Sequence, residues 1–338
     1  MSTLAILWTQ KDEQRVRCDL CAHFCELGNQ EKGKCGVRVN KNGILHTLVG
    51  EKVAAVALDP VEKKPLFHFL PATSTLSLGT MGCNFACKFC QNYTLAHLPK
   101  QGLPIQGERL SPEQIITLAQ SYQAQSISYT YSEPTIFIEL LFSTAKLAQE
   151  HRLKNILVSN GYQSPKALDL LNQVIDAANI DLKSFSNDFY QTYCGAKLKP
   201  VLKNLEKIKK MGWWLEVTTL IIPGLNDSEQ ELASIANFIV KNLGQETPWH
   251  LSRFYPCYKL DYLSPTPLST LNKAYQIAKS CGLHYVYLGN VPGAKEENTY
   301  CPKCGQLLIQ RQGFAISQNK IQQNKCPACN FELAGIWN

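Results

Sequence analysis

Three thiols at Cys83, Cys87 and Cys90 stand in the run Cys83-Asn84-Phe85-Ala86-Cys87-Lys88-Phe89-Cys90, just after the small-residue turn that follows an apolar stretch, Ser74 to Leu78. Closed structural sites take four protein ligands, so three thiols leave one corner for an outside ligand. A 4Fe-4S cube held this way keeps one reactive iron. The competing reading of the same run is a zinc knuckle with His97 as its fourth ligand.

Eight further cysteines form two groups of four. In the first, Cys18, Cys21 and Cys25 precede Cys35, and Gly33 and Gly36 let backbone amides approach the sulfurs. Thiolate tetrahedra suit zinc and an auxiliary iron-sulfur cluster alike; zinc is the nearer expectation, and free cysteines in a loop-rich segment are the bland one. In the second, Cys301-Pro302-Lys303-Cys304 and Cys326-Pro327-Ala328-Cys329 are knuckles 21 residues apart, the pattern of a zinc ribbon. A segment of about 40 residues buries too little core to fold alone, and a structural zinc site contributes about 10–16 kcal/mol. Cys194, Cys257 and Cys281 are left over.

With 338 residues at 45% hydrophobic, the chain can bury one large core and small appendages. Its formal charge of +7 counts every thiol as neutral. Thiolates and their metals bring the balance to about +2, which removes the argument for a nucleic-acid partner. Lys207, Lys209 and Lys210 read as a solvated helix face. No apolar run approaches the roughly 20 residues that span a bilayer, and Met1 to Thr9 lacks the marks of a signal peptide. Clustered thiols with metal-ligand spacing fit a reducing compartment, so a cytoplasmic protein without a membrane partner is expected.

Strand-length apolar runs at 75–80, 126–131, 155–159, 179–182, 215–222, 249–254 and 285–288 must position these thiols. Between them lie helix-length runs at 112–122, 136–150, 165–177, 200–211, 228–242 and 268–281, several opened by caps such as Ser111-Pro112, Ser164-Pro165 and Asp227-Ser228. This alternation predicts an α/β fold, a partial TIM-like barrel of six β/α units and a last strand. The expected divisions are a Cys-rich region with its connector at 1–72, the barrel at 73–295 and the ribbon at 296–338. A hairpin is expected over 43–57, turning at Asn42-Gly43, followed by a proline-broken connector at 59–71. Within that connector His68 reads first as a packing residue.

Working groups of a β/α barrel sit at the carboxyl ends of its strands. Here those ends carry Gly82-Cys83, Ser132-Glu133, Ser159-Asn160, Asp181 with Lys183, Pro223-Gly224, Arg253 and Gly289-Asn290.

These motifs together resemble the radical S-adenosylmethionine (SAM) enzymes related to pyruvate formate-lyase activating enzyme, and closely the AmmeMemoRadiSam-system subgroup. The residues that carry the resemblance are the Cys18 to Cys35 opening, Asp59-Pro60-Val61-Glu62-Lys63-Lys64-Pro65-Leu66-Phe67-His68-Phe69, the Cys83 to Asn92 loop, Tyr129-Thr130-Tyr131-Ser132-Glu133-Pro134 and Gly289-Asn290-Val291-Pro292. The resemblance implies that Cys83, Cys87 and Cys90 ligate a 4Fe-4S cluster and that Phe89 lies against the adenine. It places Ser132 and Glu133 at the SAM amino group, and Ser159, Asn160, Asp181 and Lys183 at the ribose and carboxylate. Such activating enzymes carry Asp two residues before the Asn-Gly pair; the residue here is Val158, so their cation site is not carried over.

The implied reaction is reductive cleavage of SAM to a 5′-deoxyadenosyl radical, which abstracts hydrogen from a substrate the residues do not identify, a protein being one candidate. An electron donor such as flavodoxin or ferredoxin is implied with it. Arg253 is placed either to bind an anionic substrate group or to form a structural ion pair. Cys257 reads as a packing thiol before it reads as a radical relay. A non-catalytic multi-zinc protein that binds nucleic acid or protein through its ribbon is the alternative from another class.

Overall fold

The alternating runs fold as one eight-stranded sheet in the structure, a computed structural model that describes residues 3–337. Its first strand, β1 (Ala55–Pro60), is antiparallel to β2 (Ser74–Gly79). From β2 onward the strands run parallel and in chain order: β3 (Ser126–Tyr129), β4 (Lys154–Ser159), β5 (Ala177–Asp181), β6 (Trp214–Ile221), β7 (Trp249–Arg253) and β8 (Val286–Gly289). β1 and β8 are the two edges, so the barrel is open, as expected.

Helices α1 (Pro112–Ser121), α2 (Ile138–Glu150), α3 (Pro165–Leu171), α4 (Leu198–Met211), α5 (Glu229–Phe238) and α6 (Leu268–Ser280) follow successive strands. Side-chain oxygens end the orphan amides where the caps predict it. Ser111 forms a capping box with Gln114, Ser164 accepts from Ala167, and Ser228 accepts from Glu231. The run expected as one helix to residue 242 widens after α5 into a π turn at Ile239–Leu243.

Asn42 and Gly43, at φ +53° and +80°, make the predicted turn. The hairpin they close is shorter than expected, pairing Arg38–Lys41 with Ile44–Thr47. Residues beyond it go elsewhere: Lys52–Val53 pairs with Glu108–Arg109, and β1 takes the free edge of β2. Alternation along a strand identifies its buried face but not the strand beside it.

The segment expected as a surface connector enters the barrel instead. Val61, Leu66, Phe69 and Leu70 pack on Ile156 and Ala177 near the amino ends of β4 and β5. Burial leaves its amides in need of acceptors, and Glu216 on β6 takes two, from Phe67 at 3.0 Å and His68 at 2.8 Å. His68 is wholly enclosed between the Ala334 carbonyl and the Tyr287 hydroxyl, the packing role expected of it.

At the other end of the chain Thr299–Tyr300, Leu307–Gln312 and Ala315–Asn319 form a three-stranded antiparallel sheet that packs under this plug. The Cys-rich start does not stand apart either. Leu20, Leu27 and Val37 share one buried cluster with Leu76 and Leu78 of β2. No described helix is long and apolar enough to cross a membrane.

Candidate active site

The loop after β2 is held by backbone bonds to segments distant in sequence. Gly82 donates to Leu95 at 2.8 Å, Ala86 to the carbonyl of Cys194 at 2.7 Å and Lys88 to that of Tyr193 at 2.9 Å. Gly82 has φ +104°, and a Cβ there would meet Val37 at 2.6 Å and the Cys35 carbonyl at 3.1 Å, so this entry requires glycine. The Phe85 amide points at Cys83 Sγ from 3.3 Å, the contact a charged sulfur would use.

Burial pushes the Cys83 thiol far up and that of Cys90 up to about 11. Cys87 goes the other way: the Cys194 thiol donates to it, and with the nearby Lys183 ammonium this outweighs burial. Cys194 therefore adds a fourth thiol against one member of the trio. It does not complete an ion-sized set, since among the described residues that geometry belongs to the ribbon cysteines.

Next to the loop, the ends of β3 and β4 meet through Glu133. Its Oε1 accepts from Ser159 Oγ at 2.7 Å, from the Thr135 amide at 3.1 Å and from the Thr135 hydroxyl; its Oε2 accepts from the Asn160 amide at 2.9 Å. Burial raises the pKa of this carboxyl more than those bonds lower it. Asn160 Nδ2 donates in turn to Asn84 Oδ1 at 2.7 Å, one residue from Cys83.

Beyond β5, Lys183 Nζ lies 2.8 Å from Asp181 and 5.8 Å from the centre of the Phe89 ring. Burial alone would lower the Lys183 pKa, but Asp181, Cys87 and Cys194 raise it well above the ordinary value. The structure thus gathers Cys83, Cys87, Glu133, Ser159, Asn160, Asp181, Lys183 and Phe89 around one loop. Phe89 itself packs on Phe189 at 5.8 Å.

Arg253 donates to the Thr266 carbonyl at 2.8 Å and the Tyr255 hydroxyl at 3.1 Å and has no carboxylate partner among the described residues. Cys257 donates to the Cys90 carbonyl at 3.5 Å. His97 stacks on Tyr258 at 5.1 Å and contacts the Cys87 carbonyl, not its sulfur; the zinc-knuckle reading loses its fourth ligand. Sequence reasoning had no role for Asn84, Thr135 or Gln163. Only Asn84 had a local signal, its place between Cys83 and an aromatic residue.

Residues 78–239, from the end of β2 to α5, match the radical SAM superfamily. A protein of Methanocaldococcus jannaschii described as uncharacterized is 43% identical over 97% of this chain and 98% of its own length. This chain belongs to the radical SAM superfamily. It is also similar to the pyruvate formate-lyase-activating enzyme of Clostridium pasteurianum, at 21% identity over 48% of this chain and 67% of that one. In fold it resembles a radical SAM methyltransferase from Sphaerobacter thermophilus, with a TM-score of 0.51 at 13% identity over 90% of this chain and 81% of that one.

The residues present fit what a radical SAM protein must hold. Ser132 Oγ and Asn84 Nδ2 are buried without a hydrogen-bond partner among the described residues, one at the end of β3 and one beside Cys83. Buried polar atoms are normally paired, and of those left unpaired these two lie where a bound group could take them. The three thiols are soft donors set wider than a single ion would draw them.

Proposed function

We propose that the chain is an enzyme in which Cys83, Cys87 and Cys90 hold a 4Fe-4S cluster and the surrounding strand ends hold SAM. The observation that carries this reading is the convergence of Glu133, Ser159, Asn160 and the Asp181–Lys183 pair on a three-thiol loop. Cluster and SAM together supply a one-electron cleavage to a 5′-deoxyadenosyl radical, which takes hydrogen from a substrate.

The chain's own part is positioning and exclusion of water. Glu133 Oε2 accepts a single protein bond and retains capacity for a cationic amine. Lys183 offers an ammonium to a carboxylate and shields the charge on Cys87. Phe89 and Phe189 provide flat apolar faces for an aromatic base. Ser132 Oγ and Asn84 Nδ2 add uncommitted donors.

The ribbon takes zinc in this reading. Cys301 Sγ lies 3.6 Å from Cys329 Sγ, and Cys304 Sγ 3.7 Å from Cys326 Sγ. Zinc–sulfur bonds of about 2.3 Å give tetrahedral edges of about 3.8 Å.

Anaerobically purified protein with dithionite and SAM should form 5′-deoxyadenosine, and substitution of Cys83, Cys87 and Cys90 by alanine should abolish it while removing about four irons. Zinc bound at those three thiols would sink the proposal. The hydrogen donor, a protein being one candidate, is to be traced by deuterium transfer from labelled extract into 5′-deoxyadenosine.

A further inference from the structure

We propose that Cys18, Cys21, Cys25 and Cys35 hold a second 4Fe-4S cluster, not zinc, and that it is the entry point for electrons to the Cys83 loop. The first argument is size. The ribbon thiols lie within 4.8 Å of one another, and among the described residues the four N-terminal thiols form no group that tight. Yet they are gathered around one centre: each lies in electrostatic range of the other three. A cube carries its cysteines on separate iron atoms at its corners, so its sulfurs stand farther apart than those sharing one ion.

The second argument is the lining. The backbone amides of Leu20, His23, Lys34 and Val37 lie near enough to the sulfurs of Cys18, Cys21, Cys25 and Cys35 respectively to favour their charged forms. Gly33 lies beside both Cys25 and Cys35, where a Cβ would make ordinary contact at 3.8 Å with each Sγ. The guanidinium of Arg38, fully buried, lies 3.9 Å from Cys18 Sγ and is neutralised on its other side by Glu139. Amides line the ribbon sulfurs too, so the distinguishing feature is the buried positive charge of Arg38, which favours the reduced state of a cluster.

Position supplies the role. His23, between Cys21 and Cys25, bonds through Nε2 to the Asn84 carbonyl at 2.8 Å, one residue from Cys83. The Cys35 carbonyl stands against Gly82, on the other side of Cys83. Two short contacts therefore join the two thiol groups. Toward solvent, half-buried Cys25 lines a surface hollow of mixed charge with exposed Phe24, Glu26, Glu31, Lys32 and Lys34.

A reduced one-electron carrier of the ferredoxin or flavodoxin class gives up one electron there and is itself oxidised by one. The N-terminal cluster is reduced by that electron and reoxidised when it passes inward; no bond or proton changes place.

The cluster stands on its own residues, whereas the electron route rests on the radical SAM reading of the central loop. The protein with Cys83, Cys87 and Cys90 all changed to alanine, reconstituted anaerobically with iron and sulfide, should retain about four irons and one zinc and show a cubane EPR signal on reduction, against about eight irons in the unmodified chain. Iron-free triple-variant protein, with or without a second zinc, overturns the second cluster. Should the unmodified chain and the variant both hold about four irons, the second cluster stands and the central reading falls. In the fully reduced unmodified chain the signal should relax faster and be broader than in the triple variant, because two spins lie close. Unchanged relaxation of a two-cluster protein overturns the electron route.

Discussion

Asn160 Nδ2 donates to Asn84 Oδ1 at 2.7 Å, so the turn after β4 holds the residue next to Cys83. Because the Asn160 amide is itself anchored on Glu133 Oε2 at 2.9 Å, three chain segments far apart in sequence share one short bond path. Cys83 is the thiol at its end.

Breaking that path without touching a thiol separates positioning from ligation. Asn160→Ala should keep its iron yet form 5′-deoxyadenosine about 10- to 100-fold more slowly, the usual cost of losing a partner just outside a metal's ligands. Iron analysis beside product formation checks it, and an unchanged rate would remove Asn160 from the site.

Lys183 should act on SAM more than on the cluster. Its ammonium is paired with Asp181 at 2.8 Å and helps lower the pKa of the Cys87 thiol. Lys183→Gln removes the charge and leaves a slightly shorter polar side chain, and should weaken SAM binding about 10- to 100-fold, the worth of one charge-assisted hydrogen bond. Lys183→Arg should recover part of it. Equilibrium binding to cluster-loaded protein is the measurement, and equal affinity in the glutamine variant would contradict the role.

Much of this arrangement was legible because a barrel converts order along the chain into order around a rim. Once β2 to β8 are recognised from their apolar runs, Ser132-Glu133, Ser159-Asn160 and Asp181-Lys183 must fall on one face. Illegible were the contacts that depend on which surfaces meet. Residues 61–70 carry three local helix breakers in or beside them and read as a connector, yet their apolar side chains fill the barrel base. Nothing near Cys194 in the sequence announces that it meets Cys87, because the contact is made through tertiary packing. For Cys18 to Cys35 the spacing names the donors but not their separation, and separation distinguishes an ion from a cube.

The barrel base should confer acid sensitivity through His68. Burial depresses its pKa from 6.5 to about 4, so the folded protein holds it neutral where the unfolded chain would protonate it. Its contribution is complete above the unfolded value and is lost as pH falls from 6.5 through 4, on the order of 3 kcal/mol in all. Chemical denaturation should show the unmodified chain losing more stability between pH 7 and pH 4 than His68→Gln, by about that amount. Parallel pH profiles would mean that His68 takes up its proton in the fold as readily as in the unfolded chain.

Metal removal from the ribbon should loosen this same base. Ile336 donates to the His68 carbonyl and Leu70 to the Ile336 carbonyl, each at 2.7 Å. Arg311, buried and 4.2 Å from the centre of the Phe67 ring, donates to the Phe67 carbonyl at 2.8 Å and to Thr299 Oγ1 at 2.7 Å. A small sheet with so little core depends on its metal, and Cys304 is exposed to a chelator. Chelation should therefore raise hydrogen exchange in residues 299–337 and in residues 66–70 together, with Arg311→Met reproducing the second effect while the ribbon metal stays bound. The thiol loop lies at the opposite ends of the strands, so iron content should not change in the arginine variant. Exchange confined to the ribbon after metal loss would mean that the plug at residues 61–70 is held by Glu216 and the barrel wall without the ribbon's help.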